Sequence, residues 1–202
     1  MKARELSIYG AWEFLPEHFP DNRGTFFVWF DSDVFRETVG YELTVGQTNH
    51  STNHRGTIRG VHWASTPPGQ AKYVYCPKGA VLDVVVDLRV GSPTFGQHEA
   101  VLLEPSRYNA LFLAAGIGHS FISLESDSVL TYLCSERYRP SHEHVVSALD
   151  LDLALPWPAD VKPILSERDI HAQSLRDAEA AGILPRWEEC QAFYQELSAS
   201  TR

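Results

Sequence analysis

The 202-residue sequence has one methionine, three cysteines and no two basic residues side by side. It sets 17 Lys and Arg against 26 Asp and Glu, for a formal charge of −9, and so lacks the basic patch that a nucleic-acid partner requires. An anionic ligand would have to be held by a few individually placed arginines and lysines, which favours a small anionic substrate over a polymer. Cys76, Cys134 and Cys190 stand far apart and form no CxxC pair. Neither a disulfide framework nor a cysteine zinc site is expected, and the pattern suits reduced, buried thiols in the cytoplasm. No stretch approaches about 18 consecutive apolar residues and no charged-then-apolar leader opens the chain, so neither membrane insertion nor secretion is expected. Internal repeats and low-complexity segments are missing too, and the expectation is one domain over residues 1–202.

Aromatic residues, by contrast, are plentiful: five Trp, eight Tyr and ten Phe, which favour strands and can supply stacking surfaces. From about residue 6 to 138, short apolar segments recur between turn signals, at 57–63, 71–76, 80–88, 99–103, 111–114 and 129–134. Leu82, Val84, Val86 and Leu88 alternate with Asp83, Val85 and Asp87, the period of a strand. Residues 77–79, 91–93 and 116–118 read as turns. Residues 31–40 read as a short helix with an acidic start and a glycine stop. Many evenly spaced strands in one domain suggest a sandwich or a jelly roll. Residues 149–163 form a proline-bearing excursion, and a helical tail follows over about 166–198. Two helices are expected there, at 174–182 and 187–197, packed on the exterior.

The densest polar cluster is Arg55-Gly56-Thr57-Ile58-Arg59-Gly60-Val61-His62-Trp63. Strand alternation would put Arg59 and His62 on opposite faces, unless Gly60 introduces a bulge. Downstream lie Lys72, the acidic segment 83–89, Gly116-Ile117-Gly118-His119, Tyr132 and the tract 165–169.

Taken in order and spacing, Asp21-Asn22-Arg23-Gly24, Ile58-Arg59-Gly60-Val61-His62, residues 83–89, Ser92-Pro93-Thr94-Phe95-Gly96 and Leu165-Ser166-Glu167-Arg168-Asp169 resemble the dTDP-4-dehydrorhamnose 3,5-epimerase family, over about residues 6–185. The resemblance implies an all-β, cupin-type jelly-roll β-barrel with short C-terminal helices. It also implies a homodimer with partner residues in the site, no metal or other cofactor, and a dTDP-4-keto-6-deoxy sugar as substrate. His62 would be the base that removes a proton beside the ketone, since imidazole changes charge near neutral pH. By the same resemblance Asp169 bonds to His62 and raises its basicity, Lys72 holds the enolate oxygen, and Tyr132 returns a proton from the other side of the ring. His119 would contact the sugar. Arg59, and Arg23 of the second subunit, would hold the diphosphate, which suits a guanidinium fork. Gln47 and Asn49 match positions that touch nucleotide or sugar, Tyr138 and Phe26 match aromatics that stack on thymine, and Glu143 and Arg168 match further binding positions. The family includes 3-epimerases, 5-epimerases and double epimerases, some making deoxysugars for antibiotics; the double activity is the expectation, with a single-site enzyme as the alternative.

The chain departs from the family pattern at Val28-Trp29, where Glu is common, at Ala64 for Gln, at Tyr75 for Arg and at Ser120 for Gly. Outside the family frame, His62 reads as a structural histidine, Lys72 as a solvated lysine, Tyr132 as a core tyrosine and His119 as a turn cap. Asp87 beside Arg89 reads as a structural ion pair, and Trp12, Trp29 and Trp63 as packing. Two rival functions stay open. A metal-dependent cupin could recruit His50, His62 and His119, although His62-Trp63-Ala64 does not complete a His-x-His pair. A noncatalytic sugar-binding domain is the other.

Overall fold

The computed structural model describes residues 1–200. Its elements are β1 (Lys2–Glu5), β2 (Ala11–Leu15), β3 (His18–Asp21), β4 (Gly24–Phe27), α1 (Ser32–Val39), β5 (Gln47–Asn53), β6 (Ile58–Ala64), β7 (Lys72–Lys78) and β8 (Val81–Val86). They continue with β9 (His98–Leu103), β10 (Ala110–Leu113), β11 (Gly118–Ser123), β12 (Ser128–Cys134), β13 (Glu143–Val145), α2 (Glu167–Ile170), α3 (Leu175–Ala180) and α4 (Trp187–Ser200). Six strands form a first sheet in the order β1-β2-β10-β7-β12-β5, and five form a second in the order β13-β6-β11-β8-β9. Strands β3 and β4 make a separate hairpin.

The expected all-β class with short C-terminal helices holds. The jelly roll holds with it, as two distinct sheets that face each other without closing edge to edge. Strands also extend beyond the expected 6–138, from β1 at the start to β13. The C-terminal tail has three helices where two were expected, because the four-residue α2 precedes α3.

Local chemistry explains several boundaries. Asp31 caps α1 by accepting from the backbone of Asp33 and Val34, and Gly40 ends it at φ 93°, the left-handed turn that glycine adopts without steric cost. Strand β5 reads Gln-Thr-Asn-His-Ser-Thr-Asn and carries no apolar residue. It is an edge strand held by β12 alone, so tertiary pairing and not intrinsic preference makes it a strand.

Between the sheets, Val74, Leu111, Leu113 and Leu130 of the first meet Val81, Val85, Val101, Leu103 and Phe121 of the second. On the outer face of the first sheet, Phe35 of α1 packs its ring against Phe14, Tyr73 and Phe112. The outer face of the second sheet contributes Val61, Trp63, Val84, Val86 and Ile122. It is covered by the 146–184 segment through Val146, Leu153, Val161, Leu175 and Leu184. Helix α4 is tethered by Arg89, which is fully buried with Asp87. Arg89 donates to both carboxylate oxygens of Asp87, to the Tyr9 carbonyl and to the Tyr194 hydroxyl, and lies 4.7 Å over the Trp187 ring. The expected structural ion pair is therefore present, with its charges fully hydrogen-bonded, as burial demands.

The feature that positions the site is an irregularity in β6. Register with β11 shifts between His119 and Phe121, so that His119 faces His62 and Phe121 faces Arg59. Gly60 sits at the shift with φ 126°, and a Cβ there would lie 2.4 Å from the His119 carbonyl oxygen. Substituting Gly60→Ala should therefore destabilise the protein by about 3 kcal/mol or more, through strained backbone and a clash with main chain that cannot yield. Urea unfolding followed by fluorescence checks this; a change below about 1 kcal/mol would mean the bulge tolerates a side chain.

Candidate active site

Residues opposite each other in an antiparallel pair share a face of the sheet. In the first sheet Tyr132 faces Asn49 and Val74, while Cys134 faces Gln47 and Lys72. Val74 belongs to the inter-sheet core, so Gln47, Asn49, Lys72, Tyr132 and Cys134 all point between the sheets. In the second sheet His119 faces Val85 and His62, Phe121 faces Asp83 and Arg59, and Ala64 faces Glu143. Val85 and Phe121 are inter-sheet core residues, which turns Asp83, His62, His119, Arg59 and Glu143 inward too. The bulge at Gly60 thus resolves the alternation problem: Arg59 and His62 share the inner face. One half of the sandwich interior is apolar, and the half toward β5, β12, β6 and β13 is polar.

His62 Nε2 lies 2.7 Å from Asp169 Oδ1. Asp169 is delivered by α2, whose N-cap Ser166 donates through Oγ to Asp169 Oδ2 and accepts from the Asp169 backbone N–H. Burial pushes the Asp169 carboxyl up, but hydrogen bonds from His62 and Ser166 and the charge of Arg168 outweigh it and hold the group below 3.8. An ionised carboxylate can only accept, so the imidazole hydrogen resides on Nε2 and the lone pair on Nδ1. The His62 side chain keeps 28% of its surface exposed, enough to meet a ligand. Its pKa lies below the ordinary 6.5: burial lowers it, Asp169 opposes, and Lys72 and Arg168 lower it further. Asp169 acts on His62 in the expected direction, raising its basicity, while the larger desolvation of the imidazolium carries the net shift downward.

A second histidine–carboxylate couple lies beside the first. His119 Nε2 is 2.9 Å from Asp83 Oδ2, and Asp83 is fully buried. The burial of His119, of which 8% of the side chain is exposed, limits the sugar contact expected of it to a small edge of the ring. Lys72 has its pKa lowered by burial, opposed by Cys134, Glu143 and Asp83. Tyr132 has its pKa raised by burial and Cys134, opposed by a hydrogen bond with Asn49 and by Arg59. The phenol is therefore protonated at neutral pH and the imidazole of His62 is neutral, the forms an acid and a base need before reaction.

Arg59 reaches Asn53 through Nε at 3.0 Å and is otherwise exposed. Arg168 donates to the Glu143 carbonyl at 3.0 Å, and Tyr138, half exposed, donates its backbone N–H to Gln47. Arg23 and Phe26 are not brought to this cluster. They lie on the exposed β3–β4 hairpin, with Arg23 85% and Phe26 67% exposed. Phe27 seats the hairpin on Tyr75 and Tyr108. Tyr75 lies on the outer face of the first sheet, so within one chain neither residue reaches the inner face.

Sequence reasoning missed Asp83 as the partner of His119, Cys134 beside Lys72, and the role of Ser166. The last was findable from the Ser-x-x-Asp spacing of a helix start. It also passed over His142-Glu143-His144, a His-x-His pattern. His144 turns outward, stacking on Trp63 with ring centroids 5.3 Å apart and bonding to Ser65 at 2.7 Å. His50 faces Thr131 on the outer, exposed side of the first sheet, so the donor set His50, His62 and His119 does not assemble. Among the described residues no three His, Cys, Asp or Glu side chains converge as a metal-binding group, and no helix is long and apolar enough to cross a membrane.

Comparison with known proteins agrees with this geometry. The dTDP-4-dehydrorhamnose 3,5-epimerase family profile matches residues 5–177. A dTDP-4-dehydrorhamnose 3,5-epimerase of Mycolicibacterium smegmatis is 51% identical over 197 residues, 98% of this chain and 97% of that protein. An epimerase structure from Mycobacterium tuberculosis superposes with a TM-score of 0.96 at 46% identity, covering 98% of this chain and 100% of the other. A 3'-monoepimerase from Streptomyces bikiniensis in complex with dTDP-quinovose superposes with a TM-score of 0.94, also at 46% identity, over 96% of this chain and 98% of the other. With jelly-roll, histidine–aspartate couple and inward lysine and tyrosine on the same frame, the chain belongs to the dTDP-4-dehydrorhamnose 3,5-epimerase family.

Proposed function

We propose that the enzyme inverts C3 and C5 of dTDP-4-keto-6-deoxy-D-glucose through enolate intermediates, and that His62, Lys72, Tyr132 and Asp169 carry the chemistry. The observation that carries this reading is the opposition of base and acid: His62 belongs to the second sheet and Tyr132 to the first, with the polar half of the interior between them. Inversion needs that opposition, since the proton must leave one side of the sugar and return on the other. Nδ1 of His62 takes the proton from the carbon next to the ketone, and the electron pair of the C–H bond moves onto the ketone oxygen. Lys72 holds that oxygen as charge develops; a positioned donor of this kind contributes about 3–4 kcal/mol. Tyr132 then gives its proton to the opposite face, and solvent exchange restores both groups. The ketone is the electron sink, so the reaction consumes no cofactor.

Arg59 serves the diphosphate, Tyr138 the thymine, and His119, Gln47, Asn49, Glu143 and Arg168 the surrounding contacts. Arg23 and Phe26 serve the neighbouring subunit of a homodimer; the exposed hairpin that bears them supports this reading. The three buried free thiols suit the cytoplasm. A single-site 3-epimerase is the second reading, favoured by the similarity to the Streptomyces bikiniensis monoepimerase.

Proton NMR of the substrate with enzyme in heavy water separates these readings. Loss of both the C3 and C5 signals with inverted product is expected; loss of one alone identifies a single-site enzyme, and loss of neither removes the epimerase reading. In the same assay His62→Ala should abolish exchange, whereas Tyr132→Phe should retain exchange and lose inversion by about 100-fold or more.

The neutral imidazole also fixes the acid limb of the pH–rate profile. A base whose pKa is depressed stays active until pH falls through that lowered value, so the limb should lie below 6.5. The groups acting on His62 are Asp169, Lys72 and Arg168. Asp169→Asn removes the one that raises the pKa and should shift the limb further down while slowing proton removal. A limb at or above the ordinary histidine value in the wild type would refute this assignment.

A further inference from the structure

Three side chains on the inner face form a directional chain of hydrogen bonds. The backbone N–H of Tyr138 donates to Gln47 Oε1 at 3.0 Å. Gln47 Nε2 donates to Asn49 Oδ1 at 2.6 Å. Asn49 Nδ2 donates to Cys134 Sγ at 3.5 Å, and Tyr132 stands directly opposite Asn49 across the β5–β12 pair.

A primary amide can ordinarily turn over and exchange its donor and acceptor ends. Here the first member cannot. A backbone N–H only donates, so Gln47 must present its oxygen to Tyr138 and its nitrogen to Asn49. Asn49 must then present its oxygen to Gln47 and its nitrogen to the Tyr132–Cys134 side. One of the two Asn49 N–H bonds goes to Cys134, whose thiol is neutral because burial raises its pKa to about 11. The other points to the side of Tyr132, which pairs with Asn49 across the two strands, and the lowering effect of Asn49 on that phenol agrees with a donor on that side.

We propose that Gln47 and Asn49 are positioning residues for Tyr132: they orient an N–H at the phenol oxygen, so that the phenol's own proton faces the sugar and the phenolate left after transfer is stabilised. This rests on the epimerase reading and adds to it a role for two residues that the family resemblance assigns only to ligand contact.

The decisive variant is Asn49→Asp, which keeps shape but replaces the donor by a carboxylate that accepts the phenol proton and turns it away from the sugar. The readout is the ratio of inversion to solvent-deuterium exchange in one sample. That ratio does not depend on the fraction of enzyme folded or on substrate affinity, both of which scale the two rates together. Asn49→Asp is expected to lower it by about 100-fold, the contribution of a working general acid. Gln47→Glu, which still accepts from Tyr138 but gives Asn49 no donor, should lower it by about tenfold. A ratio within about twofold of wild type in Asn49→Asp overturns the relay, since positioning of a general acid is worth far more than that. Failure of the wild type to exchange at all would instead overturn the functional reading.

Discussion

The inward placement of both Arg59 and His62 depends on a break in the regularity of one strand. A continuous β6 would send Arg59 to one face and His62 to the other, separating the guanidinium from the imidazole by the thickness of a sheet. The register shift at Gly60 returns both to the interior. Only glycine is compatible with that place, because the backbone has a left-handed φ and the His119 carbonyl occupies the position of a side chain. Ser120, a departure from the family's common glycine, packs against the same point and donates to the Arg59 carbonyl at 3.0 Å. The bulge is thus held from the neighbouring strand as well as permitted by its own glycine.

Electrostatics then set the charge states of the buried groups. Desolvation acts against the charged form of each: it lowers His62 and Lys72 and raises Tyr132. The result is a neutral imidazole on one wall and a protonated phenol on the other. Asp169 is the exception that keeps its charge, and it does so because His62 and Ser166 donate to both of its oxygens. These are the protonation states from which the proposed reaction would start.

Much of this was legible in the sequence, for identifiable reasons. Helix α1 was readable because Asp31 and Gly40 act on the backbone within a few residues of themselves. The strands at 80–88 and 129–134 were readable from their apolar residues. Strand β5 was not, since its inward residues are polar and face the ligand space instead of a core. Helix α2 is too short to show a period. The His119–Asp83 couple was hidden for another reason: its partners come from different strands, and only the register of β11 on β8 makes them neighbours. The site motifs marked His62, Lys72 and Tyr132, which the two sheets turn toward one interior, whereas Arg23 and Phe26 fall on an exposed hairpin away from it. That the two sheets stay open at their edges was not legible, because period-two patterning specifies strands and faces, not whether two sheets join.

The carboxylate that completes the base lies 107 residues further along the chain than the histidine it serves. It arrives only when the C-terminal segment has settled over the outer face of the second sheet. A chain whose last layer has not docked can own both sheets, and even a polar interior, while its imidazole lacks a partner. The His62–Asp169 bond is therefore a marker of the docked C-terminal layer, joining the second sheet to the segment that covers it.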